Sequence, residues 1–70
     1  MPIVIAPIDE ELSIVKVLAD EKTKKHLQSL GVVVGSKITV ISTNGGNAIV
    51  IVKGVRLALN REIASKILVA

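Results

Sequence analysis

The sequence of 70 residues contains no cysteine, no phenylalanine, no tyrosine and no tryptophan. Without cysteine the chain cannot form a disulfide or a cysteine-ligated zinc site, and the absence fits a reducing compartment. Grooves that bind proline-rich peptides are lined by aromatic side chains, and single-stranded nucleic acids stack on them. The sequence therefore lacks the side chains that would form an aromatic groove for proline-rich peptides or stack on nucleic-acid bases.

Long apolar runs are also lacking. A membrane-spanning helix needs about 20 consecutive apolar residues, and the runs in this sequence are much shorter. The apolar N-terminal stretch has no Lys or Arg and is interrupted by Pro2 and Pro7, so it does not resemble a signal peptide. We expect any association with a membrane to run through a partner protein.

The hydrophobic residues available to form a core are almost all aliphatic. Half of the residues are hydrophobic, and the net charge is +3. A chain of this length has room for one small core, because it buries only roughly 60% of its unfolded surface. We therefore expect one domain over residues 1–70, held by aliphatic packing. The modest positive charge favours an acidic partner surface but is weaker than the clustered charge of nucleic-acid binders.

The N-terminal third predicts two strands. Ile3 to Ala6 lies between two prolines, which favours a short edge strand. The acidic run Asp9-Glu10-Glu11 predicts a solvated turn. Leu12 to Leu18 is rich in β-branched residues and predicts a second strand.

One helix is predicted, over residues 21–30. Asp20 is a suitable N-cap, and Glu21 places negative charge in the first turn. Leu27 and Leu30 lie on one face. Gly31 is suited to the left-handed position that ends many helices.

The second half predicts short strands joined by tight turns. The turns are expected at Gly35-Ser36, at Thr43 to Asn47 and at Gly54, and Asn60 is expected to cap a helical turn near 61–65. The strands are expected at Lys37 to Ile41, Ala48 to Val52, Val55 to Leu59 and Ile67 to Val69. Five to six short antiparallel strands with one helix predict a mostly β, small barrel, which would remove exposed strand edges.

Two segments resemble a known family. Residues 27–40, from Leu27-Gln28-Ser29-Leu30-Gly31 to Val40, and residues 55–69 resemble the two hallmark segments of FeoA proteins. The family pattern places structural roles on Leu27, Leu30, Gly31, Gly35, Ala58, Leu59 and Ala64. Many members have a glycine near the acidic turn, which this sequence lacks; Asp tolerates such turns better than most residues.

The resemblance implies an SH3-like barrel in the bacterial cytosol. It also implies a role in ferrous iron transport and iron homeostasis, through protein–protein contact with the cytosolic part of FeoB, a membrane transporter with a GTP-binding domain. At family level it implies an association with transition metal ions. A similar domain also occurs at the end of iron-dependent repressors, which favours the interpretation of this chain as an adaptor.

Candidate chemistry in the sequence is sparse, and we predict no catalytic, cofactor-binding or metal-ligating residues and no small-molecule substrate. His26 is the one histidine, and neither Asp20 nor Glu21 lies at the spacing that would join it in a metal site. The acidic run at 9–11 is interpreted as solvated. We therefore expect a protein that is not an enzyme.

Candidate partner contacts fall in two groups. Lys22, Lys24 and Lys25 could dock on an acidic surface. In the stretch 48–52, Val50 and Val52 occupy one face of the strand, and Ile49 and Ile51 occupy the other. One of these pairs must be covered by other parts of the monomer or remain exposed for a partner. We expect it to be covered within the monomer. Arg56 lies on the outer face of its strand, where it either contacts a partner or keeps that face polar.

Two function classes stay open at this stage. The first is the non-enzymatic adaptor of iron transport. The alternative is a small-barrel interaction or nucleic-acid-binding module unrelated to iron uptake, for which retention on heparin is the discriminating observation. The oligomeric state is also open.

Overall fold

The computed structural model describes residues 1–70 and confirms a mostly β architecture. A 3-10 turn opens the chain and two α-helices interrupt five strands. In chain order the elements are the 3-10 turn Ile3–Ile5, β1 Glu11–Val17, α1 Glu21–Ser29, β2 Lys37–Asn44, β3 Asn47–Val52, β4 Val55–Leu59, α2 Arg61–Ala64 and β5 Ile67–Val69. None of the helices has both the length and the hydrophobicity that spanning a lipid bilayer requires.

The strand predicted at Ile3 to Ala6 is wrong. The backbone N–H of Ile5 donates to Pro2, and that of Ala6 donates to Ile3, which closes a 3-10 turn. A strand would bury alternate residues, whereas side chains three apart share a face in a 3-10 turn. Ile3 and Ala6 are accordingly both buried, and Ile5 is 68% exposed.

The strands pair in the order β4-β3-β2-β1-β5, and every pairing is antiparallel. The first part of β1 pairs with β2 and its last part with β5. Pairing is irregular at Val15 in β1 and at Ile41 in β2. Each bulge reverses which of the following side chains point inward.

No ladder joins β4 to β5, so the barrel is not closed by hydrogen bonds. The expectation that closure removes both edges is therefore wrong. The β5 edge is covered by the N-terminus, through an isolated bridge between Pro2 and Leu68 and a bond from the Val69 N–H to the Met1 carbonyl. The chain thus covers the β5 edge with its own N-terminus and leaves the β4 edge without a partner strand.

One core holds the fold together. It contains fourteen buried residues, all of them aliphatic: Ile3, Ala6, Ile14, Leu27, Val32, Ile38, Val40, Ala48, Val50, Val52, Leu59, Ala64, Ile67 and Val69. No polar or charged residue is buried. Aliphatic burial of about 25 cal/mol per Å² is thus the main stabilising contribution.

The predicted helix is confirmed with its caps. The Asp20 side chain accepts a bond of 2.8 Å from the Thr23 N–H, and Leu30 is the C-cap. Gly31 has a φ of 90°, the left-handed conformation expected there.

The tight turns follow the prediction, with one difference in length. The β2–β3 loop is only Gly45-Gly46, because β2 continues to Asn44 and pairs with Asn47. Both glycines have positive φ, as a two-residue hairpin turn requires. In the acidic turn Asp9 has a φ of 64°, so it adopts the conformation for which glycine is usual.

Candidate partner-binding surface

A groove lies between α1, the end of β1 and the segment that follows α1. Its volume is about 310 Å³, and it is lined by Lys16, Val17, Lys24, Gln28, Val32, Val33 and Val34. Four of these residues are valines, which form an apolar floor. Lys16, Lys24 and Gln28 are exposed and supply the polar groups.

The end of α1 builds one wall of the groove. Leu27 is buried, and its carbonyl accepts a hydrogen bond from the Val32 N–H at 2.9 Å. Gly31 donates to the Gln28 carbonyl at 3.0 Å. These bonds reverse the chain, so Val32 enters the core while Val34 stays 64% exposed.

Lys16 forms the opposite side of the groove because of the bulge at Val15. Ile14 points inward opposite Val69, and period-two alternation would also turn Lys16 inward. The bulge changes the parity, so Lys16 pairs with Leu68 and is exposed. Sequence reasoning did not select Lys16, since its outward direction depends on this irregular pairing.

The groove is positively charged at its rim. No acidic residue lines it, and neither Lys16 nor Lys24 forms an ion pair in the structure; the one ion pair joins Lys66 to Glu62 at 3.8 Å. Exposed ammonium groups beside an apolar floor complement a segment that carries a carboxylate next to an aliphatic side chain.

The other predicted lysines lie outside the groove. Lys22 and Lys25 are exposed on α1 but do not line the cavity. Lys24 is thus the one member of the predicted lysine group that the fold brings to the groove.

The second predicted group lies on the outer face of the sheet. Ile51 is opposite Arg56, and Ile49 is opposite Ala58. Arg56 and Ala58 are exposed, whereas Ile49 and Ile51 are half-buried. The expected coverage of this isoleucine pair within the monomer is therefore only partial.

A second cavity, of about 330 Å³, lies beside this pair at the edge of the sheet. The bulge at Ile41 turns Ser42 to the outer face, opposite Ile49. The cavity is lined by Ser42, Asn44, Asn47, Ala48, Ile49, Ala58 and Leu59.

The titratable side chains are dispersed. His26, Asp9, Glu10 and Glu11 are all exposed, and no three His, Asp or Glu residues come together as a possible metal-ligand set. Hydrogen bonds from Thr23, first from its side chain and then from its backbone, hold the pKa of Asp20 below its ordinary value of 3.8.

Most residues of the family pattern lie at turns or in the core, whereas Ala58 lies on the exposed face of β4. Leu27, Leu59 and Ala64 are buried, Gly31 and Gly35 have φ values of 90° and 94°, and Leu30 and Ala58 are exposed. Their role in the family pattern stays a prediction.

Comparison with known proteins identifies the family. A family model described as the FeoA domain matches residues 1–70. The chain belongs to the FeoA family. It is 35% identical, over 68 residues, to a protein of Methanocaldococcus jannaschii provisionally named Fe(2+) transport protein A; the match covers 97% of this chain and 83% of the relative.

Solved FeoA structures share the fold. A crystal structure of an iron uptake regulatory protein, FeoA, superposes with a TM-score of 0.87 at 24% identity, covering 99% of this chain and 93% of that one. FeoA of Stenotrophomonas maltophilia, solved with zinc and described as a prokaryotic SH3 domain protein, gives a TM-score of 0.82 at 22% identity, covering 100% and 89%. The fold of this FeoA-family chain is thus SH3-like, as the sequence predicted.

Proposed function

We propose that this FeoA-family chain is a non-enzymatic cytoplasmic accessory protein of ferrous iron transport, which acts by contact with the cytosolic part of a FeoB-type GTP-binding transporter. Membership in the family over residues 1–70 supports the iron-transport setting. The observation that carries the contact is the groove between α1 and β1, with its valine floor and its two free lysines.

The chemistry of the groove describes the segment it would hold. An aliphatic side chain of the transporter would replace water on Val17 and Val33, with a gain of about 25 cal/mol per Å² of apolar area buried. A neighbouring carboxylate would meet Lys16 and Lys24. Because both ammonium groups are exposed, their pairing mainly raises the association rate and makes it depend on salt.

Calorimetry tests the proposal. The full chain is titrated with the cytosolic domain of the matching transporter, with and without guanine nucleotide. We expect saturable binding in at least one nucleotide state. We expect Lys24→Glu to weaken it about tenfold or more, since it reverses one of the two rim charges.

Lys22→Glu is the matched control, because it makes the same charge change on an exposed position of α1 outside the groove. Equal weakening by both variants would assign the effect to the overall charge of α1 and contradict the groove. Absence of binding in every nucleotide state would overturn the proposed contact.

The same titration tests whether the transporter contacts the outer face of the sheet instead of the groove. Ile51→Ser and Arg56→Glu alter that face and leave the lining of the groove intact. Binding that is lost on these substitutions and retained in Lys24→Glu would move the contact to the sheet. Retention of the chain on heparin at moderate salt would instead support the nucleic-acid alternative.

A further inference from the structure

Strand β4 has no partner strand on its outer edge. It is the terminal strand of the order β4-β3-β2-β1-β5, and β5 at the other end pairs with the N-terminal segment. Exposed edges of this kind are templates for pairing with another chain.

The hairpin geometry determines which backbone groups are free. The turn Lys53-Gly54 has two residues, both with positive φ, so Val52 and Val55 form its hydrogen-bonded closing pair. Alternation along an antiparallel ladder then bonds Leu57 to Val50 in β3.

Arg56 and Ala58 occupy the alternate positions. Their N–H and C=O groups point away from β3, toward the open edge. No turn, cap or loop hydrogen bond of the structure engages them. The edge thus presents two donors and two acceptors, spaced symmetrically about Leu57.

We propose that two copies of this chain pair through their β4 strands, antiparallel, about a two-fold axis at Leu57. Arg56 of each copy then lies opposite Ala58 of the other, and each of these two pairs exchanges two main-chain hydrogen bonds. The arrangement is self-complementary, as a two-fold interface must be.

Charge and chain direction select this register over the two neighbouring ones. A two-fold axis at Arg56 would place two arginines directly opposite each other, which is destabilising. An axis at Ala58 would pair Arg56 with Asn60, which caps α2 beyond the end of β4. The axis at Leu57 avoids both.

The second cavity supplies a seat for Arg56 of the second copy. Ala58 and Ile49 lie in its lining, and Ser42 and Asn44 add side-chain oxygens. A side chain opposite Ala58 starts about 5.5 Å away across the new pair, within reach of this cavity for an arginine. The small side chain of Ala58 leaves the path open, and the guanidinium has five N–H donors for these oxygens.

Four main-chain hydrogen bonds and two seated arginines form a small interface. Such contacts lie at the weak end of specific association, so we expect a dissociation constant on the order of 0.1–1 mM. The dimer leaves the α1 groove free, and its test needs no transporter; its failure is therefore distinguishable from failure of the proposed function.

Sedimentation velocity from micromolar to millimolar protein tests the proposal. We expect the average mass to rise from the monomer value of 7.4 kDa toward twice that value. In the same range the ¹⁵N–¹H signals of Arg56 and Ala58 should shift more than that of Leu57, whose N–H already bonds to β3. A mass that stays at the monomer value at millimolar concentration would overturn the dimer.

Two substitutions at the exposed position 58 provide opposite controls. Ala58→Glu places a carboxylate directly opposite Arg56 of the second copy, so that an ion pair replaces the seat in the cavity and the dimer should be retained, whereas Ala58→Lys should abolish it by like-charge repulsion. Circular dichroism verifies that both variants fold. Equal self-association of the two folded variants would also overturn the proposed register.

Discussion

The side-chain Oδ1 of Asn47 accepts a hydrogen bond of 2.8 Å from the backbone N–H of Arg61. Arg61 is the first residue of α2, and its N–H has no acceptor within the helix. Two residues later, the N–H of Ile63 donates to Asn60 at 2.9 Å. Two asparagines, one local and one from the β2–β3 hairpin, therefore cap this short helix.

Asn47→Ala removes the long-range cap. We expect a loss of about 1 kcal/mol in the free energy of unfolding, since the N–H of Arg61 loses its partner. Urea denaturation measures the change. Asn44→Ala is the matched control at the other end of the same turn; its side chain makes no hydrogen bond within the chain, and its cost should stay within about 0.5 kcal/mol. Equal losses would show that the Asn47–Arg61 bond contributes nothing.

Gly46 is restricted both by its backbone and by Arg61. Its φ is 88°, and a Cβ there would lie 2.7 Å from the Cγ and Cδ of Arg61. Gly45 also has a positive φ, of 61°, but a Cβ there would meet nothing. We expect Gly45→Ala to cost about 1–2 kcal/mol from the backbone alone, and Gly46→Ala to cost more.

A double-mutant cycle separates the two effects at Gly46. If the side chain of Arg61 is the obstacle, Arg61→Ala should recover part of the loss caused by Gly46→Ala, and thermal unfolding of the four proteins measures the coupling. If the losses of stability caused by Gly46→Ala and Arg61→Ala simply add in the double variant, the side chain of Arg61 moves aside without cost.

The 3-10 turn at the N-terminus buries Ile3 and leaves Ile5 exposed, so substitutions at the two positions should differ in their cost to stability. Ile3 is fully buried and Ile5 is 68% exposed. We expect Ile3→Ala to cost about 2–5 kcal/mol and Ile5→Ala less than about 0.5 kcal/mol. Ile3→Val, expected to cost about 1 kcal/mol, keeps the comparison measurable if the alanine variant does not fold. Similar costs at both positions would indicate a strand instead of the turn.

The N-cap of α1 predicts a dependence of stability on pH. The pKa of Asp20 is lowered by folding, so its contribution is complete above the unfolded value of 3.8 and is lost as the pH falls through the folded value. Asp20→Asn keeps a capping oxygen that does not titrate. The stability difference between the wild type and this variant should be constant near neutral pH and shift against the wild type below about pH 4. A difference that is flat down to pH 2 or so would contradict the role of the carboxylate.

Local signals in the sequence were sufficient for several elements. Asp20, Gly31 and Asn60 act through bonds and dihedral angles within three or four residues, so the start and end of α1 and the start of α2 could be predicted. The Gly45-Gly46 pair located the hairpin. The mild positive charge suggested the α1 lysines, of which Lys24 lines the groove.

The aliphatic, mostly β character of the chain and the caps of its helices follow from the order of residues, because caps, turns and alternation are properties of neighbouring residues. Tertiary structure alone decided that Ile3 to Ile5 forms a turn and that bulges at Val15 and Ile41 reverse the strand faces. It also decided that β4 keeps a free edge. These features arise from pairing between segments distant in sequence, where burial of a shared core outweighs local preference.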